Sequence, residues 1–238
     1  MTRETGKLFK DGQDEIELCA SICDYTADEG PNELADETRE RPDGKGLVTY
    51  SPVGVIYGIQ PWNFPCYQAV RYSIANLMAG NGVLLKHAES CTGSGLFLKQ
   101  IYEEAGLPKG LFSVVTSTQS SEIGKEFCEN PTVRKLTFTG STNVGRILMR
   151  QSADQIMKTS MELGGNAPFI VFSDADLDAA VEGAMISKFR NNGQTCVCAN
   201  RIYVQSEVYD AFADKLAQAV SSMKVGDGFD EGVTAGPL

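Results

Sequence analysis

The sequence predicts an α/β fold: a parallel sheet with helices on both faces, followed by the first part of a second α/β unit. Short β-branched runs alternate with longer amphipathic ones from Tyr50 to about Arg150, the pattern of successive βα units. Glycine, proline and asparagine breaks fall between the runs, where helices should stop and strands begin. At 238 residues and 42% hydrophobic content, the chain can bury a real core as one large domain or two modest ones.

Taken in order, an acidic amphipathic helix over about 14–29 comes first. Strand 53–59, helix 67–79, strand 83–85 and helix 93–105 follow. Strand 112–115, helix 121–129, strand 135–139 and helix 143–151 complete the first part. Ala79-Gly-Asn-Gly82, Ala105-Gly-Leu-Pro108 and Asn130-Pro131 are its breaks, and right-handed crossovers are expected. A second unit begins near Glu162, with strand 169–172, helix 177–190, strand 201–204 and helix 208–223. Ser173, Asp174 and Asp176 are cap candidates for its first helix. The division is therefore 1–160 and 161–238. Both ends read as cut: no strand precedes the first helix, and the chain stops in a glycine-rich loop. A longer protein is expected.

A net charge of -10 argues against a phosphate-backbone surface, so nucleic acid is not an expected partner. The amino terminus is charged where a secretory signal would be apolar, and no apolar run reaches membrane-spanning length; a cytoplasmic protein without a membrane partner is expected. Seven cysteines without small-disulfide spacing fit reduced thiols. Cys196-Val-Cys198 has no second pair, and the one histidine, His87, is far away, so no metal site is expected.

Cys196 stands in a small polar stretch, Gly193-Gln-Thr-Cys196, between a helix-like run and a strand-like one. A substrate can reach a thiol there, and Arg190 is a nearby cation that favours thiolate. An inert packed cysteine is the commoner fate of such a residue, and the residues alone leave both readings open. In an extended segment Cys198 would share a side with Cys196, allowing a strained oxidative pairing, with plain packing as the alternative. Glu162 lies between Met161 and Leu163 and before Gly164-Gly165; burial there would raise its pKa toward that of a general base, whereas a solvated strand-end glutamate is the ordinary reading. Asn63 is held in Pro61-Trp-Asn-Phe-Pro65, a rigid setting for an amide aimed at an oxyanion or for a turn asparagine serving its own backbone. His87 reads as a surface or loop histidine.

Together these segments resemble the aldehyde dehydrogenase superfamily, and most of all its succinate-semialdehyde dehydrogenase branch. The resemblance rests on Pro61-Trp-Asn-Phe-Pro65, Leu85-Lys-His-Ala-Glu89, Phe138-Thr-Gly-Ser-Thr142, Glu162-Leu-Gly-Gly165 and Gly193-Gln-Thr-Cys196, in the family's order and spacing. It implies a Rossmann-like cofactor domain lacking its amino-terminal part and a catalytic domain lacking its carboxyl-terminal part. It makes Cys196 the nucleophile and Glu162 the base. Asn63 and the Cys196 N–H become the oxyanion donors.

The same resemblance implies NAD(P). No G-x-G-x-x-G follows a predicted strand, but the family's matching cofactor residues are Lys86, Glu89, Gly140, Ser141 and Trp62. Glu89 favours NAD over NADP, and Lys86 pulls the other way. Arg71 and Arg190 match positions that grip a distal carboxylate, so a short carboxylated aldehyde is the implied substrate and a homo-oligomer the implied full-length assembly. His87 stands where proline is more typical, and Ser117 where glycine is frequent. The competing reading is an incomplete fragment that binds nucleotide or a partner without turnover. A cysteine hydrolase is disfavoured by the lack of a partner histidine.

Overall fold

β-Branched runs become strands and amphipathic runs become helices along most of the chain. The computed structural model describes residues 1–237. In chain order it contains α1 (Thr2–Thr5), α2 (Phe9–Glu33), β1 (Glu37–Arg41), β2 (Gly44–Val48), β3 (Val55–Gln60), α3 (Pro65–Met78), β4 (Gly82–His87), α4 (Thr92–Glu104) and β5 (Phe112–Val115). These are followed by α5 (Ser120–Glu129), β6 (Val133–Gly140), α6 (Thr142–Ala153), β7 (Lys158–Leu163), β8 (Ala167–Val171), α7 (Leu177–Phe189), β9 (Ala199–Val204) and α8 (Tyr209–Ser221). Two compact units result: Asp14–Glu162, and Met1–Gln13 with the chain from Leu163 onward. Among the described residues no helix is long and apolar enough to cross a membrane.

The unit Asp14–Glu162 is built on a five-stranded sheet in the order β5-β4-β3-β6-β7. β3 pairs in parallel with both β4 and β6, and β4 with β5. Successive residues of a strand face opposite sides, and β3 shows what covers each. A Cβ at Gly58 would collide with the Tyr72 ring of α3, so that helix lies close on one side. On the other side Tyr57 packs against Phe127 of α5, ring centroids 4.9 Å apart. Ile56, Tyr57, Val83, Leu85, Phe112 and Leu136 are buried between the layers. Helices thus cover both faces, as a parallel sheet requires.

Three elements of this unit go beyond the sequence expectation. The helix read at 14–29 extends over Phe9–Glu33. β1 and β2 form an exposed antiparallel hairpin closed by Pro42-Asp43, with Arg41 opposite Gly44. β7 adds an exposed strand beside β6.

In the second unit, β8 and β9 pair in parallel. Val171, Ala184 and Phe212 form a buried cluster with Phe169, Val181 and Leu216 around it. Asp176 caps α7, its carboxylate accepting the N–H groups of Asp178 and Ala179. Residues 1–13, expected with the amino-terminal part, group here instead, because the 226–237 loop holds them. The Phe9 N–H donates to Gly228 O at 2.9 Å, Phe9 lies 5.9 Å from the Phe229 ring, and Gly236 approaches the Gly6 carbonyl so closely that no Cβ fits.

Candidate active site

β3 lies where the strand order reverses: α3 and β4 follow on one side, and β6 occupies the other. In open parallel sheets ligands sit outside the carboxyl ends of the strands at such a point. The residues that leave β3, β4 and β6 there are Trp62 and Asn63, then Lys86 and Glu89, then Gly140 and Ser141.

Asn63 follows β3 directly. Its Oδ1 accepts the Phe64 N–H at 3.1 Å, which makes Nδ2 the donor end of the amide. Trp62 beside it is exposed. Cys91 Sγ donates to the Trp62 carbonyl at 3.7 Å. At the start of α3, the Cys66 and Tyr67 N–H groups both donate to Glu15 Oε1, at 2.7 and 2.9 Å. His87 is buried, contrary to its reading as a surface or loop residue. It ends β4, an interior strand of the sheet, and its ring lies against Gly95 of α4.

Lys86 is also buried, and burial lowers its pKa while Glu89 pulls it back up. Its Nζ stands 3.9 Å from Glu89 Oε1, which also accepts the Ser120 hydroxyl at 2.6 Å. Ser120, at the start of α5, has no motif to announce it. Ser141 caps α6 by accepting the Val144 N–H. Gly140 precedes it under the Phe138 ring, where a Cβ would meet Cζ at 2.5 Å. A cation and a carboxylate thus stand at the carboxyl end of β4, and the donor-rich start of a twelve-residue helix follows β6, a set suited to ribose hydroxyls and a pyrophosphate.

Glu162 corrects an expectation. Met161 and Leu163 lie beside it in β7, so they point to the opposite face, and the Glu162 side chain is 57% exposed rather than buried. It meets Arg71 of α3, whose guanidinium stands 3.3 Å from Glu162 Oε1 and 5.7 Å from the Tyr67 ring centroid. Two residues read from sequence in different roles are therefore ion-paired.

Cys196 and Arg190 lie in the other unit. Asn191, Asn192 and Gly193 run consecutively in the left-handed region, with φ of 51°, 58° and 76°, conformations that asparagine and glycine tolerate best. The run is held by the Gly236 N–H on Asn192 Oδ1 at 3.0 Å. It breaks the chain out of α7 and leaves Cys196 exposed on a turn. Because residues 194–198 are not extended, Cys198 does not share the position of Cys196. It is buried, its Sγ on the Gly193 carbonyl at 3.5 Å, which is a packing role. A Cβ at Gly165 would stand 3.0 Å from the Cys196 carbonyl, so this glycine gives the turn room. Arg190 is exposed at the exit of α7.

A family profile described as "Aldehyde dehydrogenase family" matches residues 1–238. The chain is 52% identical over 239 residues to a glutarate-semialdehyde dehydrogenase of Pseudomonas aeruginosa, covering 100% of this chain and 49% of that protein. Against an NADP(+) succinate-semialdehyde dehydrogenase of Escherichia coli the identity is also 52% over 239 residues, with the same coverage of 100% and 49%. Among solved structures, a succinate-semialdehyde dehydrogenase from Burkholderia pseudomallei superposes with a TM-score of 0.95 at 52% identity over 100% of this chain and 49% of its own. One from Streptococcus pyogenes, in complex with NADP+, gives 0.94 at 32% identity over 100% and 52%. The chain spans about half the length of the relatives it matches.

Proposed function

The chain belongs to the aldehyde dehydrogenase family, and we propose that the whole protein oxidises a short aldehyde with a distal carboxylate, succinic semialdehyde or a near homologue, to the dicarboxylate. The observation that carries this reading is the exposed Cys196 thiol on a turn of small polar residues, a setting that serves attack rather than packing. Asp14–Glu162 acts as the cofactor-binding part and the chain from Leu163 as the start of the catalytic part.

Lys86, Glu89 and Trp62, with Gly140 and Ser141 at the start of α6, would hold NAD(P). When bound, the dinucleotide supplies the hydride acceptor. Glu89 accepts free ribose hydroxyls and repels a 2'-phosphate, which favours NAD; Lys86 gives NADP a foothold, in line with the NADP(+) in the name of the Escherichia coli relative.

The Cys196 thiolate adds to the aldehyde carbon, and the oxyanion formed accepts hydrogen bonds from Asn63 Nδ2 and the Cys196 N–H. Loss of hydride from that carbon leaves a thioester on Cys196. Glu162 then takes a proton from water, whose oxygen adds to the thioester and expels the thiolate. The sum is aldehyde, water and oxidised dinucleotide giving acid, reduced dinucleotide and a proton.

Arg71 and Arg190 receive the distal carboxylate. An exposed single-contact ion pair like Arg71–Glu162 is worth only about 0–1 kcal/mol, whereas a substrate carboxylate offers a guanidinium two charge-assisted bonds. Substrate therefore takes Arg71 from Glu162 and frees the base.

The test is reduced-dinucleotide absorbance from the full-length protein with succinic semialdehyde, glutaric semialdehyde and propanal. The carboxylated aldehydes are expected to be preferred and Cys196→Ala to abolish turnover; no aldehyde-dependent signal, or an active Cys196→Ala, sinks the proposal.

A further inference from the structure

His87 is the chain's single histidine, a titratable group buried next to the site that the proposed chemistry does not use. Its two ring nitrogens have distinct partners. The Ala88 N–H lies 2.8 Å from Nδ1, and a backbone N–H can only donate, so Nδ1 carries no proton. Nε2 therefore carries it and donates to the Pro65 carbonyl at 2.8 Å. One tautomer satisfies both contacts.

The backbone of His87 has a second attachment. In the β3–β4 ladder it stands opposite Gln60, the last residue before Pro61-Trp-Asn-Phe-Pro65. One residue thus fixes both ends of that segment: Gln60 through the sheet and Pro65 through the imidazole. The ring stays in place because α4 presents Gly95, where even a Cβ would stand 3.3 Å from Cδ2.

We propose that His87 is a positioning residue for Asn63, setting the loop between Gln60 and Pro65 so that the amide donor is placed before an aldehyde arrives. The inference rests on the reading of Asn63 as an oxyanion donor.

The experiment is a double-mutant cycle in the full-length protein with His87→Phe, His87→Gln and Asn63→Ala. His87→Phe fills the volume without a donor, and His87→Gln keeps one. Small misplacements of a catalytic group can cost as much as about 100-fold in rate, and His87→Phe is expected to lower kcat by about tenfold with KM little changed. His87→Gln should recover most of that loss. In the Asn63→Ala background His87→Phe should add nothing, because contacts in one chain of action are not additive. Additive effects, or equal losses in the Phe and Gln variants, would overturn the inference. If Asn63→Ala itself leaves kcat unchanged, the oxyanion reading fails instead. Should His87→Phe not fold, the cycle runs on His87→Leu, which also lacks a donor, and imidazole nitrogen NMR of the unaltered protein tests the latch independently of any substitution. A proton on Nε2 at neutral pH supports the latch; a proton on Nδ1 ends it.

Discussion

Glu15 offers a direct measure of what holds the start of α3. This helix has no cap of its own: Phe64 at the N-cap provides no side-chain cap, and proline fills the first helical position. The next two N–H groups, of Cys66 and Tyr67, both donate to Glu15 Oε1 at 2.7 and 2.9 Å, and Glu15 is only 4% exposed. Glu15→Ala leaves two donors unmet, the Cys66 N–H buried and the Tyr67 N–H part-buried, at about 1–3 kcal/mol for the first and less for the second. It also removes a negative charge from a helix amino end, about 0.3–1 kcal/mol. A loss of about 3 kcal/mol is therefore expected, within the range for removing one partner of a buried pair. Glu15→Gln keeps an acceptor but a neutral one, and neutral bonds are roughly half as strong, so a loss of about 1 kcal/mol is expected. Urea unfolding followed by fluorescence of Trp62, the chain's single tryptophan, reads this out in the same unit. With a slope of about 1–3 kcal/mol per molar, the alanine variant's midpoint should fall by about 1–3 M. An alanine variant whose midpoint matches the unaltered protein would refute the reasoning.

Other expectations are narrower. The buried Tyr72 hydroxyl has no hydrogen-bond partner among the described residues, so Tyr72→Phe should stabilise by about 1 kcal/mol in the same urea assay. Ile156 is 91% exposed with φ of 48°; a left-handed conformation costs a β-branched residue about 1–2 kcal/mol, and Ile156→Asn should raise Tm by about 2–4 °C. Burial pushes the Cys128 thiol from 9.0 to about 11. Between those values the unfolded thiol ionises while the folded one keeps its proton, so the folded state binds more protons and stability falls as pH rises. Cys128→Ala should flatten that decline most clearly between pH 9 and 10, before Tyr102, raised from 10.0 to about 12, begins to act in the same direction. An unchanged slope would remove Cys128 as its source.

The sheet of Asp14–Glu162 was legible because its central strands are apolar runs ended by glycine and proline, and β3, β4, β5 and β6 lie within a few residues of the expected positions. The hairpin escaped notice because β1 is Glu-Thr-Arg-Glu-Arg, with no apolar face to mark it; the Pro42-Asp43-Gly44 turn was the available signal. β7 was obscured by its polar start, Lys-Thr-Ser. The Glu162 expectation failed because neighbours along a strand say little about the face a side chain occupies. For Cys198, two-residue spacing implies a shared side only in extended chain, and the turn at 194–198 is not extended.

What the motifs could not reveal is what makes them rigid. Pro61-Trp-Asn-Phe-Pro65 names its own chemistry, an amide between prolines and aromatics, yet its flanking helix begins with donors that its sequence leaves unmet. The partners come from far along the chain: Glu15 from 51 residues upstream, His87 from 22 downstream, and Cys91 from 29 beyond Trp62. None has a periodicity or spacing rule linking it to Asn63, and each is buried in the fold. The identity of the donor is thus written locally, whereas its placement depends on the assembled sheet. Substitutions at Glu15 or His87 should consequently act on Asn63 without touching the motif, a separation that the double-mutant cycle and the unfolding series measure independently.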